Sequence, residues 1–411
     1  MNDPLLGEKL RSILAAVRAD LKPQLPQGNP SLRCDLIEMM LARLAVEAEE
    51  IAGPTPGVAA EADWRNAHEA KIAAILAAPV TSAGSGAELE IPAETFTCWF
   101  ADKDPSIRID RVTTVPGGRS KGTILLDSAD GRQLVIRRDF AAAVTGTSVT
   151  EEFPVIKAVH GKGLRVPEPL WLEDSPQAIG GRFIVFERLA GSSMGTLFST
   201  DATPAFCRDF AAELAKLHSL DIDALDLADS LLYGRAEHPV RAHVESYERR
   251  YRNGMAPVPL IDAAFAWLHE QLPRIGHERR LVHGDAGLHN TLGEGDRLTG
   301  LLDWEFTHAG DPAEDLAYCR FLVSRVLPWE EFMAAYRDAG GPPVSEVRMA
   351  FFTVWRTLLL SVLTGFARHS YDSGVDRDLR IASIGCNTFP KQLRDLANDL
   401  APMIAKTEMQ A

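Results

Sequence analysis

The chain has 411 residues, enough for two or three domains at about 150 residues each, and its 46% hydrophobic and 24% charged content is ordinary for a globular protein. Lysine and arginine total 43 against 57 aspartates and glutamates, a net charge of −14 that argues against a protein whose task is to coat nucleic acid or an anionic membrane. Five cysteines, Cys34, Cys98, Cys207, Cys319 and Cys386, form no CxxC pair and are odd in number, which disfavours a disulfide framework or zinc ribbon and fits a reducing compartment.

Residues 1–78 read as helical. Leu6, Leu10, Ile13, Leu14, Val17 and Leu21 recur at helical spacing, and Pro23, Pro26 and Pro30 then interrupt the pattern. Leu36, Ile37, Met40, Leu41 and Leu44 mark a second helix, and Glu61 to Leu76 a third. These helices are expected to pack as an extension of the main domain, with self-association as the other use. Charged residues through Met1 to Asp20 leave no apolar core for a signal peptide. The most apolar stretch, Phe351 to Ala367, is broken by Arg356, so no membrane span is expected and the location is expected to be cytoplasmic. A linker rich in small residues occupies 79–94.

Strand patterns follow at Ile107 to Val115, Thr123 to Leu126 and Gln133 to Arg138, with Asp130-Gly131 as a hairpin turn. Helix resumes at Ser148 to Val159, where Ser148 and Glu151 fit a capping box. Arg182 to Arg188 is a buried strand. Beyond Gly191 the chain is mostly helical, apart from a β-rich insert at Leu281 to Trp304. A small strand-rich lobe, 95–188, therefore precedes a larger helical lobe, 189–405.

The chemistry-bearing pattern is His283-Gly284-Asp285 with Asn290 five residues after the Asp, followed by Leu301-Leu302-Asp303-Trp304-Glu305. Asp285 follows a short apolar strand, where a carboxylate can be aimed at a hydroxyl. Asn290 is close enough to face the same site, and Asp303 ends a second apolar strand. Two hard oxygens with nucleotide phosphates suit Mg²⁺, and a further carboxylate free to take a proton completes a phosphoryl-transfer set.

These motifs, with Gly310-Asp311-Pro312-Ala313-Glu314-Asp315-Leu316-Ala317, resemble the aminoglycoside phosphotransferase and choline kinase-like family over about residues 95–400. The resemblance implies a bilobal protein-kinase-like α+β fold, with a small antiparallel sheet lobe, a larger helical lobe and the helical segment 1–78 in front. It also implies ATP and Mg²⁺ as cofactors, Asp285 as base, and Asn290 and Asp303 as magnesium ligands. Glu305 would assist through water, Asp311 and Asp315 would brace the loop, and His283 would be structural.

In the small lobe, Gly117-Gly118-Arg119-Ser120-Lys121-Gly122 could cradle an anion through its backbone, with Ser120 at the nucleotide, or could simply be a hairpin turn. The third strand ends Val135-Ile136-Arg137-Arg138, where protein kinases carry V-A-I-K. Alternation turns only one arginine inward, and we take Arg137. Its partner would be Glu151 or Glu152, of which Glu152 matches the family pattern better. Glu187 and Leu189, after the Phe183–Glu187 strand, would read the adenine with their backbones.

Gly284 stands where regulated protein kinases carry Arg, and only seven residues separate Asp303 from Asp311, too few for a long activation loop. A small hydroxylated molecule is therefore the expected acceptor, rather than a protein. From Glu346 onward seven acidic residues face eight basic ones, which is poor provision for a polycation. The V-I-R-R strand, the LLDWEFTHAGDPAEDLA segment and Val354-Trp355-Arg356 resemble the branch related to kinase domains fused to acyl-CoA dehydrogenases. A hydroxyacyl-CoA or similar hydroxylated metabolite is the preferred substrate, with Arg356 as its contact. An aminoglycoside kinase and a non-catalytic nucleotide-binding scaffold are the alternatives. A degenerate scaffold would be expected to have lost Asp285, Asn290 or Asp303.

Overall fold

Alternating apolar residues make the antiparallel sheet. Strands β1 (Ile109–Val115), β2 (Lys121–Ser128) and β3 (Gln133–Asp139) form a meander, and β4 (Pro169–Glu173) and β5 (Phe183–Glu187) complete the order β1-β2-β3-β5-β4. The β2–β3 turn uses Gly131 at φ +89°, a conformation that costs glycine little and other residues much. The register sets Ile124 opposite Ile136 and Thr123 opposite Arg137, so one face of the sheet is apolar and the other carries polar side chains.

The computed structural model describes residues 29–50, 58–76, 91–115, 121–139, 147–196, 199–373 and 383–408, with isolated positions elsewhere. The chain divides into two compact units. One holds Leu89–His243 and Arg274–Thr353; the other holds Met1–Glu88, Val244–Pro273 and Val354–Ala411.

In the first unit the apolar face of the sheet is covered by a helix, Ala93–Ala101. Phe96 and Phe100, four residues apart and so on one helical face, are fully buried with Leu126, Ile136 and Phe183. Trp99 lies against Phe183, with ring centroids 5.0 Å apart, and its Nε1 donates to Glu173 at 2.6 Å. The helix Val149–Gly161 begins with the expected capping box of Ser148 and Glu151. The rest of this unit is mainly helical, with Pro204–His218, Ala313–Val323 and Trp329–Asp338. Two small sheets are set among these helices. Strand β6 (Ser192–Ser193) pairs with β8 (Thr291–Glu294), which pairs with β9 (Arg297–Leu301); β7 (Arg280–Val282) pairs with β10 (His308–Gly310).

The second unit gathers helices from three parts of the chain. Asn29–Glu50 and Val58–Leu76, expected as an extension, pack in the same unit as Phe389–Glu408. The physical reason is visible at Arg43, which is 1% exposed and donates to Glu69 at 2.5 Å and to the Asn387 carbonyl at 3.2 Å. A buried guanidinium needs such partners, and they lie far away in sequence. The stretch expected as one helical lobe, 189–405, is accordingly divided between the units. Among the described residues one helix, Glu346–Asp372, is long and apolar enough to cross a membrane, and 67% of its apolar window is buried.

Phe96→Ala should remove a fully buried ring from beneath the sheet and cost about 3–5 kcal/mol. Urea denaturation would measure it, and a loss under 1 kcal/mol (roughly the scale of a surface change) would mean that this helix is not part of the core.

Candidate active site

Two short strands deliver the key carboxylates. Asp285 lies three residues beyond the end of β7 and Asp303 two beyond β9. The loop after β7 is fastened by Asp315, which is fully buried on the helix Ala313–Val323. Its carboxylate accepts the backbone N–H groups of His283 and Gly284, both at 2.8 Å. His218 Nε2 approaches the same carboxylate at 3.0 Å and Tyr336 Oη meets His218 Nδ1 at 2.9 Å. Burial would raise Asp315, but His218 and the loop amides outweigh it and hold the carboxyl below its usual value.

His283 connects the two loops. Its Nε2 lies 3.0 Å from the Leu302 carbonyl, which can only accept, so Nε2 carries a proton. Nδ1 is then free to accept from the Asp285 N–H at 3.3 Å. The imidazole thus sets Asp285 and the residue before Asp303 from a single ring. Gly284 has φ +78°, and a β-carbon there would lie 2.4 Å from the Phe306 carbonyl oxygen. Where regulated kinases carry Arg, this loop therefore requires glycine.

Asn290 Nδ2 donates to Asp285 Oδ2 at 2.8 Å and to the Asp285 carbonyl at 3.0 Å. With Nδ2 so engaged, the Asn290 Oδ1 is the atom left to face a cation. Asp303 adopts φ +66°, a strained conformation for a residue with a side chain, of the kind that concentrates at functional positions. Its Oδ1 accepts from Arg137 Nη2 at 2.8 Å, and Arg137 Nη1 donates to Thr123 Oγ1 at 2.9 Å. Arg138 turns the other way and donates to the Ile179 carbonyl. Burial would lower Arg137, but Asp303, Glu152 and Glu305 outweigh it, so its charge is secure.

The cation that meets Glu152 is Lys121, not Arg137. Lys121 is 1% exposed; it pairs with Glu152 and donates to Glu305 at 3.1 Å and to the Thr147 carbonyl at 3.2 Å. Sequence reasoning missed it. The signal was there: alternation puts Lys121, Thr123, Arg137 and Asp139 on one face of the sheet, given the Thr123–Arg137 register. Asp139 accepts from Ser148 Oγ at 2.6 Å and the Val149 N–H at 3.1 Å, anchoring the helix that carries Glu152. Burial would lower Lys121 but its two carboxylates outweigh it and raise it. Glu152 is pushed up to about 7 by burial, against the pull of Lys121 and Arg137.

The remaining expected site residues are more scattered. Ser120 lies outside the described residues. The Glu187 N–H donates to the Glu168 carbonyl at 3.1 Å, and its side chain is exposed. Leu189 lies over Gly300 of β9, where a β-carbon would come within 2.4 Å of its Cδ1. Among the described residues the Asp311 carboxylate takes its hydrogen bonds from Arg348, at 2.5 and 2.7 Å, and from the Ala313 N–H, at 2.8 Å, rather than from the Asp285 loop. Arg356 belongs to the other unit, where burial pushes Asp399 up to about 6 against the opposing charge of Arg356.

Because the folded state holds a proton on Glu152 more tightly than the unfolded state, this group lowers stability as pH rises from the ordinary carboxyl range, 4.5, through about 7. Glu152→Gln should flatten that part of the pH–stability curve. Urea denaturation at pH 5 and pH 7.5, roughly below and above the folded value, would test it, and an unchanged slope would show that Glu152 is ionised throughout.

Comparison with known proteins gives a concordant picture. The family model described as "Phosphotransferase enzyme family" matches residues 111–352, which include β2, β3, Glu152 and both carboxylate loops. Acyl-CoA dehydrogenase family member 11 of Rattus norvegicus is 28% identical over 252 residues, covering 59% of this chain and 32% of that protein. The Gallus gallus protein of the same name is 31% identical over 209 residues, covering 49% and 26%. The chain thus spans about a third or less of the curated relatives it matches. A solved macrolide 2'-phosphotransferase type I aligns with TM-score 0.51 and 20% identity, covering 72% of this chain and 97% of that one, a likeness of fold. With a family match over more than half its length, the chain belongs to the phosphotransferase enzyme family, and its fold is the bilobal, protein-kinase-like one that the motifs implied.

Proposed function

We propose that this protein is an ATP- and Mg²⁺-dependent O-phosphotransferase that moves the γ-phosphate to a hydroxyl of a small molecule, with Asp285 as base. The observation that carries this reading is the coupling of Asp285 to both neighbours, by Asn290 at 2.8 Å and by the His283 ring that also holds the Leu302 carbonyl. A carboxylate fixed in this way can orient an acceptor hydroxyl and take its proton. The hydroxyl oxygen then forms a bond to Pγ, the Pγ–O bond to ADP breaks, and ADP leaves with that electron pair.

Asp303 and the Asn290 Oδ1 are the hard oxygen donors that Mg²⁺ takes, and a bound Mg²⁺ would neutralise charge on the phosphates. Arg137 lies beside Asp303 and would contact the same phosphates, bidentately as arginine can. Lys121 holds Glu152 and Glu305 together. The preferred acceptor is a hydroxyacyl-CoA or another hydroxylated metabolite. Support comes from the relatives, whose names are those of acyl-CoA dehydrogenase family members. A cytoplasmic location fits such a substrate.

Asp285→Asn keeps the shape of the side chain and removes the base. We expect kcat to fall by ~10²–10⁴ while nucleotide affinity changes little. Steady-state ADP release with parallel calorimetry would measure both, and wild-type turnover in the variant would refute the assignment.

The acceptor can be tested separately. ADP release by the wild-type chain should be stimulated more by a 3-hydroxyacyl-CoA than by kanamycin, and the phosphate should appear on the acyl hydroxyl. Robust aminoglycoside phosphorylation without response to any hydroxyacyl-CoA would make the protein an antibiotic kinase. Nucleotide binding without transfer to either, or to water, would favour the scaffold alternative.

A further inference from the structure

Apart from the phosphotransfer residues, three side chains able to bind metal converge in the first unit. His243 lies on the helix Pro239–Gly254, His308 opens β10, and Glu314 is in the first turn of Ala313–Val323. All three are buried, and their donor atoms lie within 4.8 Å of one another. The His308 Nδ1 is 2.8 Å from the Phe306 carbonyl, which can only accept, so Nδ1 carries a proton and Nε2 is directed at Glu314 Oε2, 3.1 Å away. Metal-binding histidines are oriented in this way, with the distal nitrogen held by a carbonyl. The His243 ring stands edge-on to His308, centroids 4.3 Å apart.

Two further features are built around the cluster. Tyr233, at φ +61°, places its ring 4.9 Å from His243 and 6.1 Å from His308. Gly310 stands beside His308, and a β-carbon there would come within 2.9 Å of Nε2. A simple His308–Glu314 ion pair requires neither a second buried imidazole nor space kept open at the nitrogen.

We propose that His243, His308 and Glu314 bind a divalent transition metal of the zinc type. Two imidazoles and one carboxylate are zinc donors, whereas Mg²⁺ and Ca²⁺ favour oxygen throughout. Zinc–donor bonds of about 2.0–2.2 Å place tetrahedral donors roughly 3.3 Å apart, close to the His308–Glu314 separation, so a small inward movement of His243 completes the set. Asp315 adds negative field at His308, which suits a buried cation. The fourth position falls to water. Such an ion joins β10 to the helix that carries Asp315 and, because β10 pairs with β7, it steadies the strand from which the Asp285 loop departs. The role is structural and stands independently of the phosphotransfer reading.

The test is metal content and spectroscopy on the full chain, with no activity readout. Protein purified without chelator should retain a single zinc ion. The chelator-treated protein, refilled with cobalt(II), should show the visible bands of a four-coordinate ion. The same bands should appear in Asp303→Ala, which separates this site from any magnesium site. His243→Leu and Glu314→Gln, checked for folding by circular dichroism, should weaken cobalt binding by more than the ~10–100-fold that outer-sphere changes cost. Absence of cobalt bands in folded wild-type protein, or unchanged affinity in His243→Leu, would overturn the proposal and leave an ion pair. If both variants fail to fold, the wild-type cobalt spectrum decides.

Discussion

A single ammonium group, Lys121 Nζ, is shared by two buried carboxylates that come from different parts of the chain. Glu152 is on the helix after β3, and Glu305 follows Asp303 in the loop after β9. Neither carboxylate could be buried alone without a large desolvation cost, and removing the lysine would take away the buried cation that both share. The pairing therefore constrains three elements at once: the start of β2, the first turn of Val149–Gly161 and the Asp303 loop. Thr147 Oγ1 donates to the Glu305 carbonyl at 2.7 Å, which adds a neutral link to the charged one.

The loop that holds Asp285 is built on the same logic with a different charge. Asp315 takes two backbone amides and a histidine, so one buried carboxylate replaces the hydrogen bonds that a tight loop cannot make within itself. Glycine meets the positive φ at Gly284 at little cost, whereas Asp303 at φ +66° has to be held by its surroundings. Strained backbone persists where surrounding bonds over-determine it. Here the bonds come from His283, Asp315 and Arg137.

Much of this was legible in the sequence because it is local. Strand alternation, the Asp130-Gly131 turn, the Ser148 cap and the spacing of Asp285, Asn290 and Asp303 depend on residues a few positions apart. The helix Ala93–Ala101 was not anticipated, because a nine-residue helix carries too few turns for its period to be read. Arg43 and the partition of the last helices were also hidden, since the Asn387 carbonyl that Arg43 finds is set by tertiary packing. Lys121 is the instructive case. Its place on the polar face of β2 follows from alternation, but its partners are 31 and 184 residues away, and the kinase analogy drew attention to β3 instead.

That displacement of the lysine changes how the site is charged. Where a single β3 cation would serve both the helix carboxylate and the phosphates, the proposed reaction would divide the two tasks in this chain. Lys121 is committed to Glu152 and Glu305, deep and almost without solvent. Arg137 is left beside Asp303 with its side chain 22% exposed, near enough to the surface to exchange a carboxylate for a phosphate. An arginine suits that second task, because its charge survives burial and its planar fork can hold carboxylate or phosphate oxygens in the same geometry. In the proposed reaction the small lobe therefore keeps its structural ion pair intact while the nucleotide competes only for Arg137, so binding need not break the contact on which the helix Val149–Gly161 depends.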